Sequence, residues 1–239
     1  MPDSVGPHWH NAILVFRRVG ESGVRGFIRG AAVFLALASA AVGCAGGETG
    51  GNGGTPLTSA ELSDAVLSGK HSGFEALPQN GLLLEDVDVV TAADPVCQPV
   101  ADLRSVTPKH EATGTAWASL GAGDGAGGGS VVLTSYPEGG AKAWMSELRA
   151  AVSTCKDFVA SSERGWKDRG TLKVSPTDGI GDESLGFSTV SAEDPGKGQD
   201  MTIVRTDGSL AVYLTSSEGE PIPAALMKTQ HERLREARK

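Results

Sequence analysis

Apolar residues at spacings of three and four mark the most regular segment of the chain. Ala141, Trp144, Met145, Leu148, Ala151, Val152, Cys155, Phe158 and Val159 form one stripe, with Lys142, Glu147, Arg149, Lys156 and Asp157 outside it. This pattern predicts a helix from about Gly140 to Ala160 that buries the stripe in a core. Two shorter helices precede it. Thr58-Ser59-Ala60-Glu61 has the form of a capping box, followed by Leu62, Ala65 and Val66 on one face and a stop at Gly69. Asp94-Pro95 pairs an N-cap with a proline at the first helical position, and opens a short helix carrying Cys97, Val100, Ala101 and Leu103. A last helix is predicted from Pro223 to Arg235, with Ala224, Leu226, Met227 and Leu234 apolar and Arg233, Arg235, Arg238 and Lys239 gathered at its C-terminal end.

Period-two alternation predicts the strands. Thr115, Trp117 and Ser119, then Val131, Leu133 and Ser135, alternate with apolar and small neighbours on either side of GAGDGAGGGS. That glycine run lacks the Lys-Ser/Thr ending of a phosphate-binding loop and has a strand on each side, so it reads as a hairpin tip. Leu82 to Val90 is an extended segment of mixed phase. Further on, Gly170 to Val174, Ser184 to Val190, Met201 to Arg205 and Leu210 to Thr215 are β-prone, with Asp207-Gly208 as a type I′ hairpin turn between the last two. Without regular βαβ alternation, this order of elements predicts an α+β domain: a mainly antiparallel sheet with helices packed on one face.

A different pattern precedes Thr58. Arginines at 17, 18, 25 and 29 lead into an apolar run from Ala31 to Val42, about twelve residues, which suits a signal-peptide core and is too short to span a bilayer. The run ends Ala41-Val42-Gly43-Cys44, which resembles a bacterial lipobox with Ala41 where leucine is more usual. On this reading residues 1–43 are a removed signal peptide. Cys44 then carries diacylglycerol and a further acyl chain such as palmitate, an anchor of two or three chains that does not release. The bland alternative is a plain secretory signal cut at Ala38-Ser39-Ala40. Residues 44–57 form a glycine-rich tether with a reach of about 20 Å, which leaves 58–239 as a single domain. The protein is thus placed at the cell membrane, lipid-anchored on the extracellular face.

Charge sharpens this picture. The whole chain has 21 basic and 29 acidic residues; without the leader 17 basic and 27 acidic remain, a net charge of about −10. An acidic domain lacks the clustered Lys and Arg of a nucleic-acid surface. Of the three cysteines, two remain once Cys44 is committed to lipid, and in an exported domain Cys97 and Cys155 most simply pair. There is no Cys-x-x-Cys, and no basic residue beside Cys97, to suggest a redox thiol.

Candidate chemistry is sparse. His71, His110 and His231 are isolated from any ligand pattern and read as surface residues. Asp178, Asp182 and Glu183 are acidic, but their spacing is not that of an EF-hand, and turn capping accounts for them. Neither Gly-x-Ser-x-Gly nor Ser-x-x-Lys occurs in a strand-to-helix context. No catalytic residue, metal or cofactor is therefore expected. Trp117, Trp166 and Tyr136 are aromatic candidates for a cleft, with core packing as the simpler role.

The lipobox, Pro95-Val96-Cys97, Thr154-Cys155-Lys156-Asp157-Phe158 and Gly179-Ile180-Gly181-Asp182-Glu183-Ser184 together resemble exported actinobacterial lipoproteins of the PknH-like extracellular sensor domain family, over roughly residues 75 to 220. The resemblance implies an α+β sensor-like domain with a cleft and no known chemistry. The kinase member carries two disulfides where this mature chain can make one. The sequence thus reads as a non-catalytic sensor or binding domain, tethered to the membrane, whose partner is an unknown small molecule or envelope protein. An envelope hydrolase without a local motif and a purely structural envelope protein are the other classes, and a concave pocket would separate them.

Overall fold

The computed structural model describes residues 55–79, 89–105, 108–122, 128–165, 167–177, 179–193, 198–215 and 221–239. The leader with Cys44, most of the tether, the segment Leu82 to Val87, Trp166 and Asp178 lie outside these residues.

Helix α1 (Ser59–Ala65) begins as its sequence predicts. Thr58 accepts the Glu61 N–H through its hydroxyl, and the Glu61 carboxylate accepts the Thr58 N–H at 2.7 Å. It ends at Val66, short of Gly69, whose φ of 81° instead opens strand β1 (Gly69–His71). Strands β2 (Phe74–Pro78) and β3 (Val90–Ala92) follow. Asp94 caps a 3-10 turn over Pro95–Cys97 by accepting the Val96 N–H, and the turn leads into α2 (Gln98–Asp102). The expected hairpin is β4 (Gly114–Ala122) and β5 (Gly128–Ser135), with Trp117 opposite Val132.

Helix α3 (Gly140–Thr154) buries Ala141, Trp144, Met145, Leu148, Ala151 and Val152, the expected stripe. It stops earlier than its periodicity suggests. Cys155 turns extended at φ −71° and ψ 104°, and Asp157–Ser162 is strand β6. Phe158 pairs across to Gly170 in strand β7 (Lys167–Ser175), so the ladder takes residues whose spacing also suited a helix. Strands β8 (Glu183–Ser191), β9 (Gly198–Thr206) and β10 (Ser209–Thr215) complete the sheet, and α4 (Ala224–Glu236) ends the chain. The β9–β10 hairpin forms on Asp207-Gly208, but of these two only Asp207 has a positive φ, 51°, so the turn is not type I′. Both residues are held from outside the hairpin: Asp207 N–H donates to Asp182, and the Gly208 carbonyl accepts the Tyr136 N–H.

The ten strands lie in the order β1-β2-β4-β5-β10-β9-β8-β7-β6-β3, every neighbouring pair antiparallel. The chain is α+β, with one disulfide among the described residues. Its helices divide between both faces of the sheet, where packing on one face was expected. The reason is visible in β10, which is buried along its whole length. Leu210, Val212 and Leu214 enter the core beneath α2 and α3, while the alternating Ala211 and Tyr213 enter a second core beneath α1 and α4. A central strand that is apolar in both phases needs a layer on each side.

The two layers are offset. Helix α3 carries the chain from β5 in mid-sheet to β6 and packs on β7, β8 and β9, while α1 packs on β4, and α4 on β9 and β10. Gln230 joins α1 to α4: its side chain accepts the Leu67 N–H and donates to the Ala65 carbonyl, both at 2.9 Å, and it is fully buried. On the other face, Cys97 and Cys155 are bonded with Cα atoms 5.3 Å apart, which fastens the 3-10 turn to the end of α3.

Candidate functional site

Where the α1/α4 layer ends, the sheet beneath is left with a cavity of about 280 Å³. Its floor follows from the strand registers. Ser175, Gly186, Thr202 and Tyr213 lie opposite one another across β7, β8, β9 and β10, and so form a single row on one face of the sheet. Gly186 leaves a gap in that row. A Cβ there would stand 2.9 Å from Thr177 Cγ2 and 3.0 Å from the Ser175 carbonyl, so glycine lets the segment after β7 fold over the floor. Ser184 closes this side by donating its hydroxyl to Thr177 Oγ1 at 2.9 Å.

The opposite wall is Pro221, Ile222 and the first turn of α4, with Ala224 and Met227 facing inward. Ile222 comes down close to β5 because Gly129 has no side chain: a Cβ there would meet Ile222 Cδ1 at 3.2 Å and the Leu214 carbonyl at 2.2 Å. The N-cap of α4 is Pro223, which supplies no side-chain cap. Among the described lining residues the hydroxyls are those of Ser175, Thr177, Ser184, Thr202, Tyr213 and Thr215, and the single charged group is Asp200, on an exposed residue.

Tyr213 is the chemically unusual member. It is 1% exposed, and its hydroxyl has no hydrogen-bond partner among the described residues. Burial pushes the phenol far above its ordinary value, so it is a neutral hydroxyl at any physiological pH. An unsatisfied buried hydroxyl costs about 1–3 kcal/mol. The sequence offered one signal for this residue, a tyrosine inside the otherwise apolar run Leu210 to Leu214, and alternation alone could not show that a cavity lay above it.

The residues weighed on sequence grounds do not converge. His71 bonds the Ser68 carbonyl at 2.9 Å. His110 meets Glu147 at 3.1 Å and stacks on Trp144 with ring centroids 5.9 Å apart. His231 bonds the Thr206 hydroxyl at 2.7 Å, and among the described residues no carboxylate holds its other ring nitrogen. Asp182 and Glu183 are engaged by Arg205, at 3.2 and 2.7 Å, and no group of three metal-ligating side chains occurs among the described residues. Tyr136 is core, set edge-on to Trp144, and Trp117 is half-buried against the α3 face. No described helix is long and apolar enough to cross a membrane.

No protein-family model matches the sequence, and no curated protein does. Among solved structures the fold is similar to the extracellular domain of PknH from Mycobacterium tuberculosis, with a TM-score of 0.52 and 14% identity over 77% of this chain and 98% of that one.

Proposed function

We propose that this chain is the non-catalytic ligand-binding domain of a lipid-anchored protein on the outer face of a cell membrane, with Cys44 as the lipid site. The observation that carries the binding role is the cavity, closed on one side by the Ser184–Thr177 bond and on the other by the start of α4, over a floor that includes Ser175, Thr202 and Tyr213. A concave pocket that joins apolar side chains to polar groups is the usual form of a small-molecule site. The shared fold with an extracellular domain is consistent with a place outside the cytoplasm, as is a disulfide between two buried cysteines. The leader sequence supports the anchor.

A thermal-shift screen tests the binding role. A compound in the cavity at 100 times its dissociation constant should stabilise the domain by about 2.7 kcal/mol. That stabilisation should disappear in Ala224→Phe, which places a ring in the pocket. Stabilisers that act equally on parent and variant, or none at all, would rule the cavity out as the site.

A further inference from the structure

Strand β7 carries a row of positive charge on the sheet face that α4 covers only over β9 and β10. Its even-numbered residues Gly170 and Leu172 are buried, Leu172 in the core beneath α3, so the odd-numbered Lys167, Arg169, Thr171 and Lys173 point the other way, and all four are exposed. Ser175, next in this alternation, lines the cavity beside α4, which fixes the face. Alternate residues of a strand repeat about every 6.8 Å, so the row from Lys167 to Lys173 spans roughly 20 Å. The registers set hydroxyls beside it, with Ser161 opposite Lys167 and Ser188 opposite Lys173. Asp157, opposite Thr171 on β6, and Asp200, opposite Ser188 on β9, flank the row, and Glu163 lies in the turn before it.

From this arrangement we infer that β7 is a docking surface for an acidic polysaccharide laid along the strand, with its acid groups against Lys167, Arg169 and Lys173 and its hydroxyls against Ser161, Thr171 and Ser188. The shape of the row selects a linear partner. A chain lying along β7 meets the cations while Asp157 and Asp200 stand one and two strands away, about 5 and 10 Å, on either side. A flat anionic membrane would press on both acids. The acidic charge elsewhere on the domain opposes this only weakly, because exposed charges more than about 10 Å apart are largely screened at 0.1 M salt. The row lies on the open face outside the cavity, and its occupation does not require the cavity to be a ligand site.

Oligogalacturonate, with one carboxylate on each sugar, is the probe, titrated against the purified full chain by calorimetry. It should bind, and three charge contacts at the single-strand value of about 0.7 each give a salt slope near −2, a loss of roughly 20-fold between 50 and 200 mM salt. Lys167→Gln with Arg169→Gln and Lys173→Gln should abolish binding. Lys70→Gln with Lys142→Gln and Lys228→Gln removes the same charge from exposed positions elsewhere and should leave it unchanged. Equal losses in the two triple variants would show a net-charge effect and overturn the row as the site. Binding of the methyl-esterified oligomer would overturn charge as the recognised feature. Polyglutamate or phosphatidylglycerol vesicles that bind as tightly as the sugar would overturn the polysaccharide assignment, and no binding of oligogalacturonate at 50 mM salt would overturn the inference outright.

Discussion

Asp182 accepts the backbone N–H of Asp207 at 2.6 Å, so the residue just before β8 holds the turn between β9 and β10. Several groups converge there. The Asp182 N–H donates to the Arg205 carbonyl at 2.9 Å, and the Arg205 guanidinium donates to the carboxylates of Asp182 and Glu183 and to the Asp207 carbonyl. Gly181, at φ 72°, lies so close that a Cβ would come within 2.5 Å of the Arg205 carbonyl. The run Gly179 to Ser184 is therefore a clasp on the hairpin that carries Tyr213 into the cavity.

Arg205→Met should loosen that clasp. Its side chain is 16% exposed and makes charge-assisted bonds to two carboxylates, so a loss of about 1–3 kcal/mol is expected in urea unfolding. Arg149→Met is the control. Arg149 reaches Glu183 at 3.7 Å from a half-exposed position, and its loss should fall within about 0.5 kcal/mol.

The disulfide closes a loop of 58 residues, for which chain entropy gives roughly 4 kcal/mol. Cys97→Ala with Cys155→Ala should lower unfolding stability by about 2–5 kcal/mol. On the unlipidated full chain, denatured without reductant, thiol titration should find one free cysteine, Cys44. Three would contradict the bond.

Glu147 gives a pH signature. Its carboxyl is held below the ordinary 4.5, chiefly by the hydrogen bond from Lys109 at 2.7 Å and further by His110. An acid with a lowered folded pKa adds stability above its unfolded pKa, and that stability is lost as pH falls through the folded value. Glu147→Gln should therefore be less stable than the parent at pH 7, with the gap closing as pH drops below about 4.5. A gap that persists undiminished to pH 2 would show that charge is not its source.

The proposed anchor predicts that Cys44→Ser leaves the detergent phase on extraction while the parent stays in it. A serine variant processed and retained like the parent would remove the lipid assignment.

Local chemistry made much of the fold legible. The Thr58–Glu61 box, the Asp94-Pro95 start and the β4–β5 and β9–β10 hairpins each need a few adjacent residues, and the sequence displays them. The end of α3 was hidden because Phe158 and Val159 continue its spacing while β7 claims them for the sheet. The second helical layer was signalled by the unalternating runs Val131-Val132-Leu133 and Leu210 to Leu214, whose two phases demand two cores. The cavity depends on a row assembled from four strands, and no local stretch of sequence contains it.

Among the described residues both edges of this wide sheet are strands of three residues, β1 on one side and β3 on the other. So short an edge offers few backbone groups on which another chain could nucleate a ladder. Copies crowded together would therefore have little tendency to zip into larger sheets through these two strands.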